Sequence, residues 1–549
     1  TVTGNVAGHL IDLNGADNVS INGLNTGGNS LTISNTSQQV TASTIRFVND
    51  ATNNTVTNST VSGATGAALS SGFGVIYFAT GTVTGNDGNI ISNNNITGAG
   101  GALPINGIYS FGTSAAIDNS GITVSGNNIS DYFNTNSSSN GINANTGNSG
   151  WTITNNKFFQ TGARTYLTAA THNGINVLSG SGYTITGNTI GYAAANGTGV
   201  YTMGGTIATR FVGIALTVGT AATTSVQGNT VASIALGTSS GAATTSGVLC
   251  GVNIISGNVN AGNVTPNTIG ATTGTGSLTV TSTTTQAAIV GFHSSSTGTV
   301  VISNNNIGGF TSAGATASVA GAVFGVNVSG IATSITITGN TIGNATADNM
   351  RAGVSGTTTG SSLASGINQT AAPLAYNYSN NTIQNLSSYG TGTGGYVRGI
   401  QSGTSANAAA VGTISGNTIN NLTTSGAVSG QTSGNTAALG IQVFVGGATV
   451  SGNTISNISA INSGAVATVV AGITHATATN SVISNNRIWG LSNASTTTST
   501  TLPNVITGIM IRSGTTSTTV VNNMISLGAG QATNSYIFGI WGNHGSTPD

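Results

Sequence analysis

The chain contains no glutamate and a single lysine, Lys157, and its charged residues amount to 3% of 549 positions, eight basic against eight acidic. A formal net charge of zero excludes the electrostatic attraction on which binding to nucleic acid or an anionic membrane surface rests. The one cysteine, Cys250, excludes an internal disulfide. It stands just before Gly251, in a column that elsewhere holds Val212, Val290, Phe324 and Leu439, so it reads as a small core residue. No run of eighteen apolar residues occurs, which excludes a membrane-spanning helix. The sequence also lacks an initiator Met and a signal peptide, as expected of a processed protein or an excised piece.

What is present is a β-branched apolar pattern of fixed spacing. Val450-Ser451-Gly452-Asn453-Thr454-Ile455 has relatives throughout the chain, among them Val124 to Ile129, Ile185 to Ile190, Ile302 to Ile307, Ile337 to Ile342 and Ile414 to Ile419. Strand side chains alternate faces, so Ile337 and Ile342, five apart, reach one core only if the backbone between them reverses the alternation. Gly-Asn is suited to that, because both residues accept left-handed backbone conformations cheaply. The bend asparagines are Asn127, Asn156, Asn188, Asn229, Asn267, Asn305, Asn340, Asn381, Asn417, Asn453, Asn486 and Asn523. From Asn156 to Asn486 the repeat averages about 37 residues, the range of a solenoid.

Upstream of each bend stands a Gly followed by Ile, Val or Phe, as at Gly107-Ile108, Gly325-Val326 and Gly440-Ile441. The next position is polar and reads Asn143, Asn176, Asn253, Asn327, Asn368, Gln401 and Gln442, an amide ladder if coils stack at roughly 4.8 Å. A sugar-binding stripe is the sharper reading of the same column. Residues 1–549 are expected to form one solenoid. In residues 1–60 the 24-residue interval from Ile21 to Ile45 suggests tight short coils, and in residues 61–549 the coils lengthen through Gly/Ser/Thr loops after the bend. Tyr132, Phe133, Tyr166, Tyr192, Tyr201 and Tyr389 lie in or near those loops, as contacts for a ligand or as covers of the core edge.

The stacked Gly-Asn-Thr-Ile bends and the opening Ile11-Asp12-Leu13-Asn14-Gly15 and Val19-Ser20-Ile21-Asn22-Gly23 resemble the right-handed parallel β-helix repeat of the pectate-lyase-like superfamily. The near absence of charge makes the chain most similar to repeat regions of bacterial surface and adhesin proteins. The resemblance implies an all-β, right-handed parallel β-helix of about 14 to 16 coils, three short strands per coil, with long loops on one edge. It implies little about activity, since this fold carries many functions.

An enzyme of this fold needs clustered carboxylates or a carboxylate with a Lys or Arg. Asp12 and Asp17 belong to the tight N-terminal coils, and Asp50, Asp87, Asp118, Asp131 and Asp348 fall at different phases of the repeat, with only Asp87 and Asp118 spaced to approach each other. Asp348 and Arg351 read as an exposed ion pair. His9, His172, His293, His475 and His544 also differ in phase and read as lone surface residues. No catalytic residue, cofactor or metal site is therefore assigned, and the enzyme reading, a polysaccharide lyase or hydrolase, stands as the alternative. Ice binding ranks third: the post-bend Thr189, Thr230, Thr268, Thr341, Thr382, Thr418 and Thr454 form one column where a flat face needs two.

The two ends read as halves of one coil. Val2, Gly4 and Asn5 resemble a bend without its strand, while Gly539, Ile540 and Trp541 resemble a strand without its bend. The expectation is a secreted bacterial rod, a surface fibre or adhesin stalk, whose partners are further copies stacked head to tail or flanking parts of a longer chain, together with glycans. Asn95, Asn128 and Asn136 begin triplets that could accept glycans.

Overall fold

The computed structural model describes residues 1–25, 28–67, 72–241, 245–403, 410–427, 437–444, 446–476, 480–498, 504–512, 518–531 and 533–543. The described residues form strands and no helix, and apart from the short antiparallel pair Leu24–Asn25 with Gly28–Asn29 the strands stack in parallel as a β-solenoid of about 14 turns. Two compact units are distinguishable, Thr1–Ser239 with Leu249–Thr268, and Ser240–Val248 with Ile269–Asp549.

In the first unit each coil contributes one strand to each of three parallel sheets. The Gly-Ile sheet runs through Asn106–Ser110, Ser139–Ala144, Ala170–Val177 and Thr209–Thr217, with Ile108, Ile142, Ile175 and Ile214 aligned and fully buried. The pre-bend sheet stacks Thr123–Ser125, Thr152–Thr154 and Thr184–Thr186, and the post-bend sheet stacks Asn128–Ser130, Lys157–Phe159 and Thr189–Gly191. The second unit repeats this with Leu363–Gln369, Ala375–Ser379 and Thr382–Ser388 in one coil and Tyr396–Ser402, Val411–Ser415 and Thr418–Thr424 in the next.

The bend works through its first residue. Gly339 has φ +66°, and Asn155, Asn304, Asn380 and Asn485 take the same left-handed conformation at that position, while the bend asparagine that follows is not left-handed. One left-handed residue reverses the alternation, so Ile337, Asn340 and Ile342 all point inward and all are buried. A second such residue stands four places after the bend asparagine, at Asn385, Asn421, Asn457 and Gly490. It lets residues three apart, Ile383 with Leu386 and Ile455 with Ile458, enter the same core.

The glycine of the Gly-Ile pair serves close approach. A Cβ on Gly325 would stand 2.5 Å from Ile342 Cγ2 and 2.6 Å from the Gly366 carbonyl oxygen of the next coil. Its φ is not positive, so contact with core and neighbour, not backbone freedom, selects glycine there. Cys250 is a fully buried core residue aligned with Val212.

Two expectations require correction. Ile11 pairs with Ile45, 34 residues on, and Ile21 pairs with Val56, so residues 1–60 form coils of ordinary length, not tight ones. Ile21 and Ile45 stand on different sheets, and their separation is not a repeat. The post-bend insertions are also not wholly loops: Arg164–Thr165, Tyr201–Gly204 and Ile234–Thr238 stack as further strands in the first unit, as do Leu278–Ser282, Phe310–Gly314 and Met350–Ala352 in the second.

Candidate functional site

The residues able to carry chemistry are mostly used to join coils. Asp17 Oδ1 accepts from Thr52 N and Oγ1, both at 2.8 Å, and Asp87 Oδ1 accepts from Ser120 N at 2.8 Å and Oγ at 2.9 Å. Asp118 accepts from Ser149 Oγ, so Asp87 and Asp118 take different serines. Asp131 accepts from Thr161 N at 2.9 Å and pairs with Arg164 at 2.5 Å, and Asp12 pairs with Arg46 at 2.7 Å. Each donor belongs to the following coil, and Ser or Thr supplies both a backbone N–H and a hydroxyl in most of these contacts.

Asp50 is the fullest case. Desolvation pushes its carboxyl up, yet the Thr82 hydroxyl and the N–H groups of Gly85, Val83 and Thr82 outweigh that and hold it far below the usual carboxylate range. Asp348 accepts from the hydroxyls of Ser387 and Tyr389, the latter at 2.8 Å, and the expected ion pair with Arg351 is not formed. Among the described residues no three His, Cys or Asp side chains group as metal ligands. Asp549 and His544 lie outside the described residues.

The histidines correct the reading as lone surface residues. His172 and His475 are fully buried, His293 is 5% exposed, and among the described histidines only His9 is partly open. His172 stacks on Tyr132 at 4.9 Å, with Nδ1 3.1 Å from the Tyr166 hydroxyl and Nε2 beside the Tyr201 hydroxyl. Burial pushes its pKa down to about 3, with a smaller contribution from Arg164. Tyr132, Phe133, Tyr166, Tyr201 and Tyr389 are likewise buried, so these loop aromatics cover the core edge; Tyr192 alone of the six is half-buried.

The bend asparagines form an amide ladder within each unit. In the first unit Asn127 donates its backbone N–H to Asn156 Oδ1 at 3.0 Å and its side-chain amide to the same oxygen at 2.9 Å, and the pattern repeats through Asn188, Asn229 and Asn267. In the second it runs through Asn305, Asn340, Asn381, Asn417, Asn453, Asn486 and Asn523. All but Asn523 are at most 1% exposed. From Asn340 to Asn523 the remaining amide hydrogen reaches a carbonyl of the preceding coil, as Asn340 Nδ2 reaches Ile302 O, whereas Asn305 Nδ2 reaches Ser303 O of its own coil.

The amide column beside the Gly-Ile pair is aligned but only partly bonded. Asn176 donates to Asn143 at 3.2 Å and Asn368 to Asn327 at 2.8 Å. Ala215 stands between Asn176 and Asn253, Gln401 Oε1 accepts from Arg398, and Gln442 is in register with Gln401. Sequence reasoning missed a neighbouring ladder, Asn106, Asn140 and Asn173, with bonds of 2.7 and 2.8 Å. Its signal was there in Asn-Gly-Ile recurring at all three places.

Toward residue 1 the same outward column becomes Tyr109, Tyr77, Arg46 and Asp12. Phe73 stacks on Tyr77 at 4.1 Å, and Tyr109 lies 5.7 Å from Tyr77. With Phe73, Tyr109, Asn143 and Asn176 half-buried, this strip of rings, amides and one ion pair is the candidate contact surface of the first unit. Of the glycan-accepting triplets, Asn128 donates to Asn95 at 2.9 Å, while Asn136 is exposed in a turn.

The head-to-tail residues also need a partial correction. Val2–Gly4 pairs with Ile33–Asn35 and so belongs to the post-bend sheet; Asn5 is exposed and is not a ladder residue. Ile540 and Trp541 align with Ile509 and Met510 as expected of a Gly-Ile strand, Trp541 being 1% and Ile540 55% exposed. No family model and no curated protein matches the chain.

Proposed function

We propose that the chain is a structural segment of an extracellular bacterial surface fibre or adhesin stalk. The observation that carries this reading is the use of the aspartates: Asp17, Asp50, Asp87, Asp118 and Asp131 each accept a hydrogen bond from the next coil, which is how scarce charge serves a scaffold. A solenoid joined by backbone bonds along its axis and by a buried Asn ladder suits resistance to stretching. With no Glu and one Lys it also offers proteases few cleavage points. Glycans are the proposed partners of the strip around Tyr109, Asn143 and Asn176, where amides and a ring edge remain accessible.

The same reading takes a further coil, of another copy or of the same chain, as the neighbour of the strand Tyr536–Asn543. Ile537 and Ile540 there are 44% and 55% exposed, whereas Ile506 and Ile509, their partners one coil earlier, are fully buried. Negative-stain microscopy over a concentration series tests it. Filaments with a regular axial repeat are expected, and isolated short particles at every concentration would remove self-assembly from the proposal.

A further inference from the structure

The pre-bend sheet of the first unit carries a two-column hydroxyl array that a count of post-bend threonines does not find. Thr123 pairs with Thr152 and Thr152 with Thr184, while Ser125 pairs with Thr154 and Thr154 with Thr186. Between the columns Val124, Ile153 and Ile185 are fully buried, so by strand alternation both flanking hydroxyls of each coil face outward. None of these six hydroxyls bonds to another described residue, although hydroxyls elsewhere in the unit commonly do. The second unit repeats the arrangement at Thr413 with Ser415 and Thr449 with Ser451.

The geometry limits what such a face can bind. Its hydroxyls repeat at roughly 4.8 Å between coils and about 6.7 Å along each strand. They are held by a backbone whose bends are locked from behind by Asn127, Asn156 and Asn188. The three coils put no charge outward on this sheet, whereas the post-bend sheet carries Lys157 and the Gly-Ile sheet Asp12 and Arg46. A neutral, rigid lattice of hydroxyl and methyl groups matches a partner that is itself a neutral lattice. The outward positions of these three strands hold no aromatic ring, which argues against sugar rings, since aromatic faces grip those. We propose that this face binds ice: the paired hydroxyls anchor a patch of water already arranged as in the crystal, and the threonine methyls keep that patch from exchanging with the bulk. The proposal is independent of the fibre reading.

The test is adsorption of the full chain to a growing ice hemisphere, together with thermal hysteresis. The unsubstituted chain is expected to partition into ice and to shape crystals. Thr152→Lys and Thr184→Lys, each at an outward position, should abolish both while leaving the β-sheet circular dichroism and melting temperature unchanged. Thr189→Lys, outward on the post-bend sheet, should leave both intact. Exclusion of the unsubstituted chain from ice would overturn the proposal. So would loss of activity in Thr189→Lys with retention in Thr152→Lys, or binding to crystalline cellulose without binding to ice.

Discussion

Asn381 Oδ1 accepts two hydrogen bonds from one residue, the backbone N–H of Asn340 at 3.0 Å and its side-chain amide at 3.0 Å. Both donors are buried, so Asn381→Ala strands two groups at once and also removes the donor to the Ile337 carbonyl. Buried unsatisfied groups cost about 1–3 kcal/mol each, which puts the loss at about 3 kcal/mol or more. Asn381→Asp keeps the acceptor but sets a carboxylate against Asn417 Oδ1, so it should be more disruptive at neutral pH than below its pKa. Urea midpoints of the two variants at pH 7 and pH 3 check this.

His172 predicts an acid sensitivity of stated range. Its folded pKa lies near 3 against 6.5 in an unfolded chain, chiefly through desolvation. The unfolded state therefore binds the proton first, and stability contributed by the neutral ring falls as pH drops from about 6.5 toward 3, by on the order of 4 kcal/mol in all. Tyr132, Tyr166 and Tyr201 around it stay protonated over that range and add no slope. Its imidazole resonances should not titrate between pH 5 and 8 while the protein is folded; a midpoint near 6.5 would mean that the ring is not enclosed as described.

Asp50 acts lower on the pH scale. Its folded pKa is depressed, so the stabilisation is complete above the unfolded value near 4 and is lost only as pH falls further through the folded value. Asp50→Asn should flatten the stability profile below pH 4 and leave in place the slope between pH 4 and 6.5, to which the buried His172 and His475 both contribute. Acid melts of parent and variant separate the two contributions.

The fold was legible because the constraint that makes it is local. A left-handed residue between Ile337 and Ile342 and a glycine pressed against Ile342 both leave a mark of fixed spacing in the sequence. The misses came from comparing unlike positions. Ile21 and Ile45 sit on different sheets, and the outward pairs Thr152 with Thr154 went unseen because the count began after the bend. The loop tyrosines gave no warning, since whether Tyr201 is exposed depends on Tyr132 and His172, 69 and 29 residues earlier. The amide column was aligned as expected, but alignment is not bonding, and Ala215 interrupts it.

Two glycines at the same phase separate folding from assembly. A Cβ on Gly399 would meet the Gly440 oxygen at 2.6 Å and Ile419 Cγ2 at 2.7 Å, whereas a Cβ on Gly539 would meet nothing within 4 Å. Gly399→Ala should therefore destabilise the protein by about 1–3 kcal/mol through overpacking. Gly539→Ala should leave its melting temperature unchanged. If a further coil stacks on Tyr536–Asn543 as proposed, that coil brings a backbone oxygen to the place where the Gly440 oxygen stands over Gly399. The new methyl would then block it. Gly539→Ala protein that melts normally but forms no filaments, at concentrations where the parent does, is the expected result. Filaments of undiminished length would mean that the end strand is not the contact.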